Sequence, residues 1–343
     1  MKAVIISKRD DLRVKDVPVP KIAKDEVLVK HKASGICHSD YLLISGQYIL
    51  PFEYPVTPGH EWAGEIVEVG PEVKVLKMGD RVTGECVFGC GICELCQSGN
   101  FTYCANAGHY GFTTGTRGGA DQEYFVVPAR LLHRLPRSMS FETGSLVEPF
   151  TVAYHAFETT AKVDASNTIL ISGGGNIGLC ALAVAKGKGA RAIVLESVPL
   201  RQKVAKEMGA DFVLDPNEEG IIERVKGLTN GQGADFVLET SGESASYKNM
   251  FDYVRNNGHI TVVGINIGNI IPAELGKIQS KGLIIKGTVG SPYVWDKALK
   301  FLAQSKFDIT KIQTHKFPLE KAEEAFRLAR DREKAIKTIL ISK

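Results

Sequence analysis

Short apolar runs separated by turn residues dominate the chain up to about residue 150. The runs are rich in β-branched residues and lie at residues 27–30, 64–69, 80–83 and 123–127. Runs of this length and composition, bounded by glycine, proline or aspartate, are typical of strands. This part of the chain is therefore predicted to be mostly β, with long loops that carry cysteines.

From about residue 152 the pattern changes to apolar runs that alternate with helical segments. The apolar runs lie at residues 168–172, 192–196, 212–214, 235–239, 259–263 and 283–287, and helical patterns lie at 177–186 and 201–208. This alternation predicts βαβ units and a parallel sheet that is covered on both faces. The last part of the chain is predicted to hold helices at 295–304 and 319–330 and a strand at 337–341.

The composition is that of an ordinary globular protein. The 343 residues are 44% hydrophobic and 24% charged, and this length predicts about two domains. The net charge of +3 gives no reason to expect a nucleic acid or an anionic membrane as a partner. No apolar run approaches the roughly 18 residues of a membrane span. Because the first residues also lack the features of a signal peptide, we expect a cytoplasmic protein.

Five of the seven cysteines lie between residues 86 and 104. In a reducing compartment, clustered thiols usually hold a metal rather than form disulfides. Four of them follow the spacing Cys90-x2-Cys93-x2-Cys96-x7-Cys104, which can close a tetrahedral zinc shell and therefore indicates a structural site. One iron–sulfur pattern shares the first spacings, but its fourth cysteine comes after three residues and precedes a proline. Cys86 would be a fifth thiol, and we interpret it as a small buried hydrophobic residue.

A second set of possible zinc ligands is dispersed along the chain. Each member lies next to glycine or at the end of a predicted strand, and the set is Cys37, His60, Glu61 and Glu148. One thiolate, one imidazole and one or two carboxylates, with water or substrate completing the shell, describe an open catalytic zinc site. Spacing alone does not join residues so far apart, and each could instead have a surface or hydrogen-bonding role. The open zinc site is therefore a hypothesis at this point.

The glycine pattern Gly173-x-Gly175-x-x-Gly178 directly follows the apolar run 168–172 and opens a helical segment. In that context the glycines allow a tight turn, close approach of a pyrophosphate and close packing of the helix on the strand. The free N–H groups at the start of the helix suit a phosphate. Glu196 ends the next strand and can accept hydrogen bonds from both ribose hydroxyls of NAD. Arg201 could instead pair with the 2′-phosphate of NADP, and we weigh Glu196 more heavily.

Several motifs in a fixed order give the whole chain a family resemblance. They are GICHSD at 35–40, PGHEWAGEIVEVG at 58–70, GDRV at 79–82, the four-cysteine loop, VEP at 147–149 and GGGNIG at 173–178. This series resembles the zinc-dependent medium-chain dehydrogenases, in the branch that contains sorbitol, butanediol and threonine dehydrogenases. The resemblance implies an α/β protein with a GroES-like, mostly-β catalytic domain at residues 1–151 and 289–343. It also implies an inserted Rossmann domain with a doubly wound parallel sheet at residues 152–288.

The resemblance further implies two zinc ions per subunit and assigns roles to individual positions. Cys37, His60, Glu61 and Glu148 would surround the catalytic zinc, with the choice of Glu61 or Glu148 as direct ligand left open. Ser39 matches the hydroxyl that passes the substrate proton towards solvent. The positions that match cofactor contacts are Gly173, Gly175, Asn176, Ile177, Gly178, Glu196, Arg201, Val263, Gly264, Ile265, Thr288 and Val289. The family also suggests a homotetramer or a homodimer.

These expectations lead to one functional hypothesis and two alternatives. We expect NAD-dependent oxidation of a secondary alcohol of a small-molecule polyol or cyclitol to a ketone. The first alternative is an L-threonine 3-dehydrogenase or a butanediol dehydrogenase. The threonine enzymes carry a histidine three residues before the first cysteine of the structural loop, whereas this chain has Val87 there. The second alternative is a non-catalytic redox sensor that binds zinc and NAD.

Overall fold

The computed structural model describes residues 1–159, 162–305 and 307–343. The chain forms two compact units, each made from more than one stretch of sequence. The first unit comprises Met1–Glu148, Pro292–Gln304 and Gln313–Lys343, and the second comprises Pro149–Ser291 and Ser305–Ile312. The domain limits expected from the sequence, with boundaries at 151/152 and 288/289, stay a prediction.

The strands and helices are as follows in chain order. The strands are β1 Lys2–Lys8, β2 Asp11–Asp16, β3 Glu26–Gly35, β4 Glu61–Val69, β5 Arg81–Gly84, β6 Val87–Phe88, β7 Gly108–His109, β8 Tyr124–Pro128, β9 Leu132–Arg134, β10 Thr168–Ser172, β11 Arg191–Leu195, β12 Phe212–Leu214, β13 Ala234–Glu239, β14 Val254–Val262, β15 Ile284–Gly287, β16 Gln313–Pro318 and β17 Lys337–Ile341. The helices are α1 His38–Ile44, α2 Glu94–Gln97, α3 Phe141–Gly144, α4 Val147–Glu158, α5 Asn176–Gly187, α6 Pro199–Glu207, α7 Ile221–Leu228, α8 Ser244–Tyr253, α9 Gly276–Lys281, α10 Trp295–Gln304 and α11 Ala322–Ala329.

The first unit is built on a largely antiparallel sheet with β3 at its centre. The strands follow the order β16-β17-β3-β4-β5-β9, and β8 also pairs with β3. Trp62, Ile66 and Phe125 pack under this sheet in one apolar cluster. The strand predicted at 27–30 is the start of β3, which continues to Gly35. The continuation escaped prediction because Ala33, Ser34 and Gly35 are buried between two partner strands and show no apolar alternation.

The second unit contains the predicted parallel α/β sheet. Six parallel strands follow the order β12-β11-β10-β13-β14-β15. Helices α5, α6, α8 and α9 contact the sheet, and an apolar core that includes Leu170, Ile193 and Val237 lies within this unit. Strand β14 begins at Val254, ahead of the predicted start at residue 259. The early start was missed because exposed Asn256 and Asn257 interrupt the apolar pattern.

The tail follows its prediction with one change. The helix expected at 319–330 divides into a 3-10 turn at Leu319–Lys321 and helix α11 at Ala322–Ala329. Helix α10 coincides with the predicted 295–304, and β17 coincides with 337–341. Among the helices in the described part of the chain, none combines the length and the apolar character needed to cross a membrane.

Candidate metal centres and dinucleotide site

The four-cysteine loop gathers its thiols into one group. The sulfur atoms of Cys90, Cys93, Cys96 and Cys104 all lie within 4.8 Å of one another. The Cys90–Cys96 and Cys93–Cys104 sulfur pairs are 3.9 and 3.7 Å apart. A tetrahedral zinc with Zn–S bonds of about 2.3 Å places its sulfur atoms about 3.8 Å apart, so the spacing fits zinc.

The local backbone explains how this short loop holds four thiols. Gly91 adopts a positive φ of 80°, which glycine tolerates best, and Cys93 directly precedes the first residue of α2. A Cβ atom on Gly89 would lie 2.4 Å from the sulfur of Cys96, so that position has no room for a side chain. Backbone N–H groups of Ile92 and Cys93 lower the pKa of the Cys90 thiol to about 6, which favours the thiolate that a metal requires.

A second group forms where β3 and β4 meet. Ligand atoms of Cys37, His60 and Glu61 lie within 4.8 Å of one another. Strand pairing produces this proximity, because Gly35 at the end of β3 is the register partner of Glu61 at the start of β4. A Cβ on Gly35 would lie 2.4 Å from Glu61 Oε2, so the close approach requires glycine. His60 and Glu61 are buried and Cys37 is half-buried.

Lys337 brings a buried positive charge to Glu61. Its ammonium lies 2.5 Å from Glu61 Oε2 and also donates to the Ile36 carbonyl at 2.9 Å. The Lys337 and Glu61 side chains are only 2% and 1% exposed. The charge of Glu61 raises the pKa of Lys337 against the opposing effect of burial, so the ion pair persists. Lys337 therefore neutralises one carboxylate of the group and fixes its orientation.

Asp40 links two members of the same group. Its Oδ2 accepts a hydrogen bond from the Cys37 backbone N–H at 2.8 Å, and its Oδ1 lies 3.5 Å from His60 Nδ1. An imidazole whose Nδ1 faces a carboxylate has Nε2 left for a metal. Burial opposes protonation of His60, but the charges of Asp40 and Cys37 outweigh it and raise the pKa of the imidazole. The pocket is therefore anionic and suited to a cation.

Glu148 lies close to this group but is not one of its three residues. It is 8% exposed in the first turn of α4, and its Oε1 accepts a hydrogen bond from the Cys86 thiol at 3.4 Å. Burial, with a contribution from the charge of Glu61, raises the pKa of Glu148 to about 7. In the described part of the chain, the three-residue group within 4.8 Å includes Glu61 and does not include Glu148.

The glycine-rich turn of the second unit joins β10 to α5. Gly173 has φ +100°, and a Cβ on Gly178 would lie 1.8 Å from the Gly173 carbonyl oxygen. Both positions therefore require glycine for a tight turn and close helix packing. Glu196 follows β11 and accepts hydrogen bonds from the backbone N–H groups of Gly174 and Val198 at 2.7 and 2.8 Å. Its Oε2 lies 3.9 Å from Arg201 Nη1, so a carboxylate and a guanidinium lie side by side next to the glycine turn.

The other expected cofactor positions lie at the same edge of the parallel sheet. Val263, Gly264 and Ile265 follow β14, while Thr288 and Val289 follow β15. The carboxyl edge of an open parallel sheet is where ligands bind in α/β proteins. Asn176 and Ile177 begin α5 directly after the glycine turn. Ile265 and Val289 are 57% and 40% exposed, so both side chains are accessible to a ligand.

Comparison with known proteins places this chain in a family. The alcohol dehydrogenase GroES-like domain matches residues 23–137, and the zinc-binding dehydrogenase domain matches residues 176–304. Sorbitol dehydrogenase from Bacillus subtilis is 35% identical over 334 residues, which cover 96% of this chain and 93% of that protein. L-Threonine 3-dehydrogenase from Alteromonas mediterranea is 33% identical, with 95% of each chain covered. The chain belongs to the zinc-dependent medium-chain alcohol dehydrogenases.

A solved structure supports the architecture of this dehydrogenase. A zinc-binding dehydrogenase from Sinorhizobium meliloti, bound to NADP, superposes with a TM-score of 0.93 at 28% identity over 99% of each chain. The expected family and the GroES-like and Rossmann fold are therefore confirmed. The protein is an NAD-dependent, zinc-containing dehydrogenase that acts on alcohols, which confirms the expected enzyme class and cofactors. Family membership disfavours the non-catalytic sensor.

Several residues beside the metal group, which comprises Cys37, His60 and Glu61, were not predicted from the sequence. Lys337 reads as an ordinary charged residue at the start of a strand, and only its burial reveals its role. His109 stacks on Phe112 with ring centroids 4.4 Å apart, and its ring meets that of His60 edge-on at 5.2 Å. Tyr48 packs edge-on against the same Phe112 at 4.5 Å. No spacing signal in the sequence could have joined these rings to His60.

Proposed function

We propose that this dehydrogenase oxidises a secondary alcohol of a polyol or cyclitol to the ketone, with NAD as hydride acceptor. The observation that carries the proposal is the group of Cys37, His60 and Glu61, whose ligand atoms lie within 4.8 Å of one another. One thiolate, one imidazole and one carboxylate leave a position for substrate in a zinc shell. The carboxylates and the sorbitol dehydrogenase relative support a polyhydroxylated substrate.

Each residue of the group has a distinct role in this proposal. Cys37, His60 and Glu61 hold the catalytic zinc, and Glu148, oriented by the Cys86 thiol, is a nearby carboxylate that can exchange with them. Asp40 positions His60 and the Cys37 backbone. When bound, zinc supplies the Lewis acidity that lowers the pKa of an alcohol hydroxyl, and NAD supplies the hydride acceptor. Lys337 limits the excess negative charge around the metal.

Ser39 is the proposed first acceptor of the substrate proton. Its hydroxyl oxygen lies 3.8 Å from the Cys37 sulfur, at the start of α1. A hydroxyl can accept a proton on one side while it donates its own on the other, so it passes a proton without holding charge. Ser39 thus moves the proton away from the metal group.

The second unit binds the cofactor in this proposal. Gly173, Gly175 and Gly178 admit the pyrophosphate, and the N-terminus of α5 at Asn176 and Ile177 offers free N–H groups. Glu196 accepts hydrogen bonds from the ribose hydroxyls, and its ion pair with Arg201 limits the attraction of Arg201 for a 2′-phosphate. The positions along the carboxyl edge of the sheet complete the site, namely Val263, Gly264, Ile265, Thr288 and Val289.

The four-cysteine loop holds a structural zinc in this proposal. Cys90, Cys93, Cys96 and Cys104 fill a tetrahedral shell and leave no position for substrate. Reduced thiols in both groups fit a reducing compartment, and the enzyme is cytoplasmic in this proposal.

Oxidation of L-threonine is a second candidate function, favoured by one observation. Val87 in β6 argued against it, because the threonine enzymes carry a histidine at that position. However, Val87 and His109 are direct partners in the β6–β7 pair. Partners in an antiparallel pair present their side chains on the same face. His109 therefore supplies an imidazole beside the position where Val87 lacks one.

A homo-oligomer is the proposed assembly of the chain. β15 is an edge strand of the parallel sheet, and its Ile284 is 53% exposed. The preceding segment adds further apolar side chains that are more than half exposed, namely Ile267, Ile270 and Leu275. An exposed edge strand beside apolar residues is a surface that commonly pairs with another chain. A dimer or a tetramer would cover it.

One kinetic panel tests the proposed reaction. Purified enzyme is assayed for NAD reduction with polyols, cyclitols, vicinal diols and L-threonine, before and after zinc removal by a chelator and again after zinc is restored. We expect turnover of a polyol or cyclitol at least about a hundredfold more efficient than that of L-threonine. Chelation should abolish turnover and zinc should restore it. Efficient threonine oxidation with no polyol or cyclitol turnover would establish the second candidate instead.

A further inference from the structure

Two polar side chains beside the metal group have hydrogen-bonding capacity that the protein leaves unused. His109 Nδ1 lies 2.8 Å from the Tyr110 carbonyl oxygen. A carbonyl oxygen only accepts, so Nδ1 carries the proton and Nε2 carries a lone pair. Within the described residues, Nε2 has no hydrogen-bond partner. Nε2 is not fully buried, so a ligand can reach it from the space beside the ring.

The Tyr48 hydroxyl offers the opposite capacity. It makes no hydrogen bond in the part of the chain that the structure describes. Burial, reinforced by neighbouring acidic groups such as Asp40, raises the pKa of Tyr48 far above its usual range. The hydroxyl therefore stays protonated, remains a donor, and lies in the field of the metal group.

The donor and the acceptor are held rigidly. The His109 ring stacks on Phe112 with an interplanar angle of 12°, and the Tyr48 ring packs edge-on against the same phenylalanine. The His109 backbone N–H also donates to Thr113 Oγ1 at 2.8 Å. His109 is 7% exposed, and its ring meets the rings of His60 and Tyr48 edge-on, with centroids 5.2 and 5.9 Å apart. Side chains held in this way lose little entropy when they bind a ligand.

We propose that Tyr48 and His109 together bind a second hydroxyl of the substrate, next to the carbon that is oxidised. A hydroxyl accepts a hydrogen bond from Tyr48 Oη–H and donates one to His109 Nε2, so it satisfies both groups at once. A substrate without this hydroxyl leaves both groups desolvated and unpaired, which a polar site penalises strongly. The pair thus selects vicinal diols, including polyols and cyclitols, over simple secondary alcohols. This inference rests on the proposed function.

The test uses two probes that differ by one hydroxyl. Stereoisomers of 2,3-butanediol and enantiomers of 2-butanol are compared by kcat/KM with NAD, in wild type, Tyr48→Phe, His109→Phe and the double variant. Phenylalanine keeps an aromatic ring at both positions. It removes the hydroxyl of Tyr48, and at His109 it removes Nε2 together with the Nδ1–H that donates to the Tyr110 carbonyl. We expect the diol-to-butanol ratio to fall about tenfold in each single variant, as the loss of one hydrogen bond implies. His109→Asn, which keeps an acceptor, should restore part of the ratio.

Two controls separate recognition from structural damage. Tyr54→Phe removes a tyrosine hydroxyl that donates to the Leu43 carbonyl at 2.8 Å, so it should leave the ratio unchanged. Zinc content is measured for every variant by mass spectrometry and should match wild type. Calorimetric binding of 2,3-butanediol to the zinc-loaded enzyme without cofactor gives a readout independent of turnover, and its Kd should rise about tenfold in each single variant.

The possible failures are distinguishable. If wild type turns over neither probe nor any polyol, cyclitol or diol, the proposed function falls, and this inference falls with it. If wild type oxidises 2-butanol as well as the diols, or the variants keep the wild-type ratio, only this inference is overturned. An equal loss for both probes, or a loss of zinc, would give the two residues a structural role and also overturn it. Selective turnover of L-threonine would indicate that Tyr48 and His109 lie beside the ammonium group of that substrate, and it would also overturn this inference.

Discussion

The buried Lys337–Glu61 ion pair lies in the proposed catalytic zinc site. Removal of one partner leaves the other charge buried and uncompensated, which is far more costly than the loss of an exposed pair. The carboxylate is also a candidate zinc ligand, so its charge and orientation affect both stability and metal binding.

Lys337→Met should therefore destabilise the zinc-loaded enzyme by about 3–5 kcal/mol and weaken zinc retention. The free energy of unfolding is measured in urea, and zinc loss is measured by competition with a chelator. Lys334→Met is the matched control, because Lys334 forms an exposed ion pair with Asp331, and it should change neither quantity. Wild-type stability and zinc retention in Lys337→Met would show that Glu61 does not depend on this lysine.

Glu196 is the residue that should separate NAD from NADP. Glu196→Ala should weaken NAD binding by about 1–3 kcal/mol, because hydrogen bonds between the carboxylate and the ribose are lost. The alanine variant should also have a smaller preference for NAD over NADP, because Arg201 then no longer pairs with the Glu196 carboxylate. Fluorescence titration with NADH and NADPH measures both affinities. A wild-type enzyme that prefers NADPH would show that Arg201 outweighs Glu196.

At the scale of elements, the cysteine loop and the β3–β4 junction are proposed to hold zinc for different purposes. Cys96→Ala should remove one zinc per subunit and lower the melting temperature, because the loop loses its crosslink. Cys37→Ala should remove the other zinc and abolish turnover, while the melting temperature changes little. Zinc content, calorimetry and steady-state kinetics on both variants check this. Purely catalytic losses from both changes, with stability intact, would contradict the division.

His133 joins two elements of the first unit through hydrogen bonds and stacking. In β9 its ring nitrogens lie 3.1 Å from Glu85 and 2.8 Å from Asp296, and the ring stacks on Trp295 in α10. Burial lowers the pKa of His133, but these hydrogen bonds and the two negative charges outweigh burial and raise it. A raised folded-state pKa means that the protonated form stabilises the fold.

The stabilisation by His133 should consequently depend on pH. It is fully present below the unfolded pKa of about 6.5 and is lost as the pH rises through the higher folded pKa. The difference in unfolding free energy between wild type and His133→Gln should therefore be largest at mildly acidic pH and shrink towards alkaline pH. Urea denaturation across that range measures it. A difference that grows with pH would contradict the assigned direction.

At the scale of the whole molecule, the exposed edge of the parallel sheet predicts assembly. Ile284→Lys in β15 should reduce the mass in solution towards the 37.3 kDa of one chain, because a buried charge opposes edge pairing. Val75→Lys is the matched control, since Val75 is 73% exposed in the other unit, and it should not change the mass. Light scattering after size exclusion measures both. A monomeric wild type would overturn the proposed assembly.

The features that depend on local interactions could be predicted from the amino-acid sequence. The glycine turn between β10 and α5, the parallel α/β pattern and the four-cysteine loop could all be predicted. Their signals are short in range, because backbone conformation and loop closure depend on residues a few positions apart. The same local signals failed at Ala33–Gly35, which are buried between two partner strands, and at Asn256–Asn257, which are exposed at an irregularity in the β13–β14 pairing.

The proximity of the dispersed residues depends instead on long-range strand pairing. β17 pairs with β3, which pairs with β4, and this register brings Lys337 to Glu61 across 276 positions of sequence. The same folding places His109 beside His60 and Cys86 beside Glu148. Strand register is set by long-range pairing and burial, which leave no regular spacing in the chain. The role of Lys337 therefore becomes evident only from the buried Glu61 carboxylate, whose charge it neutralises.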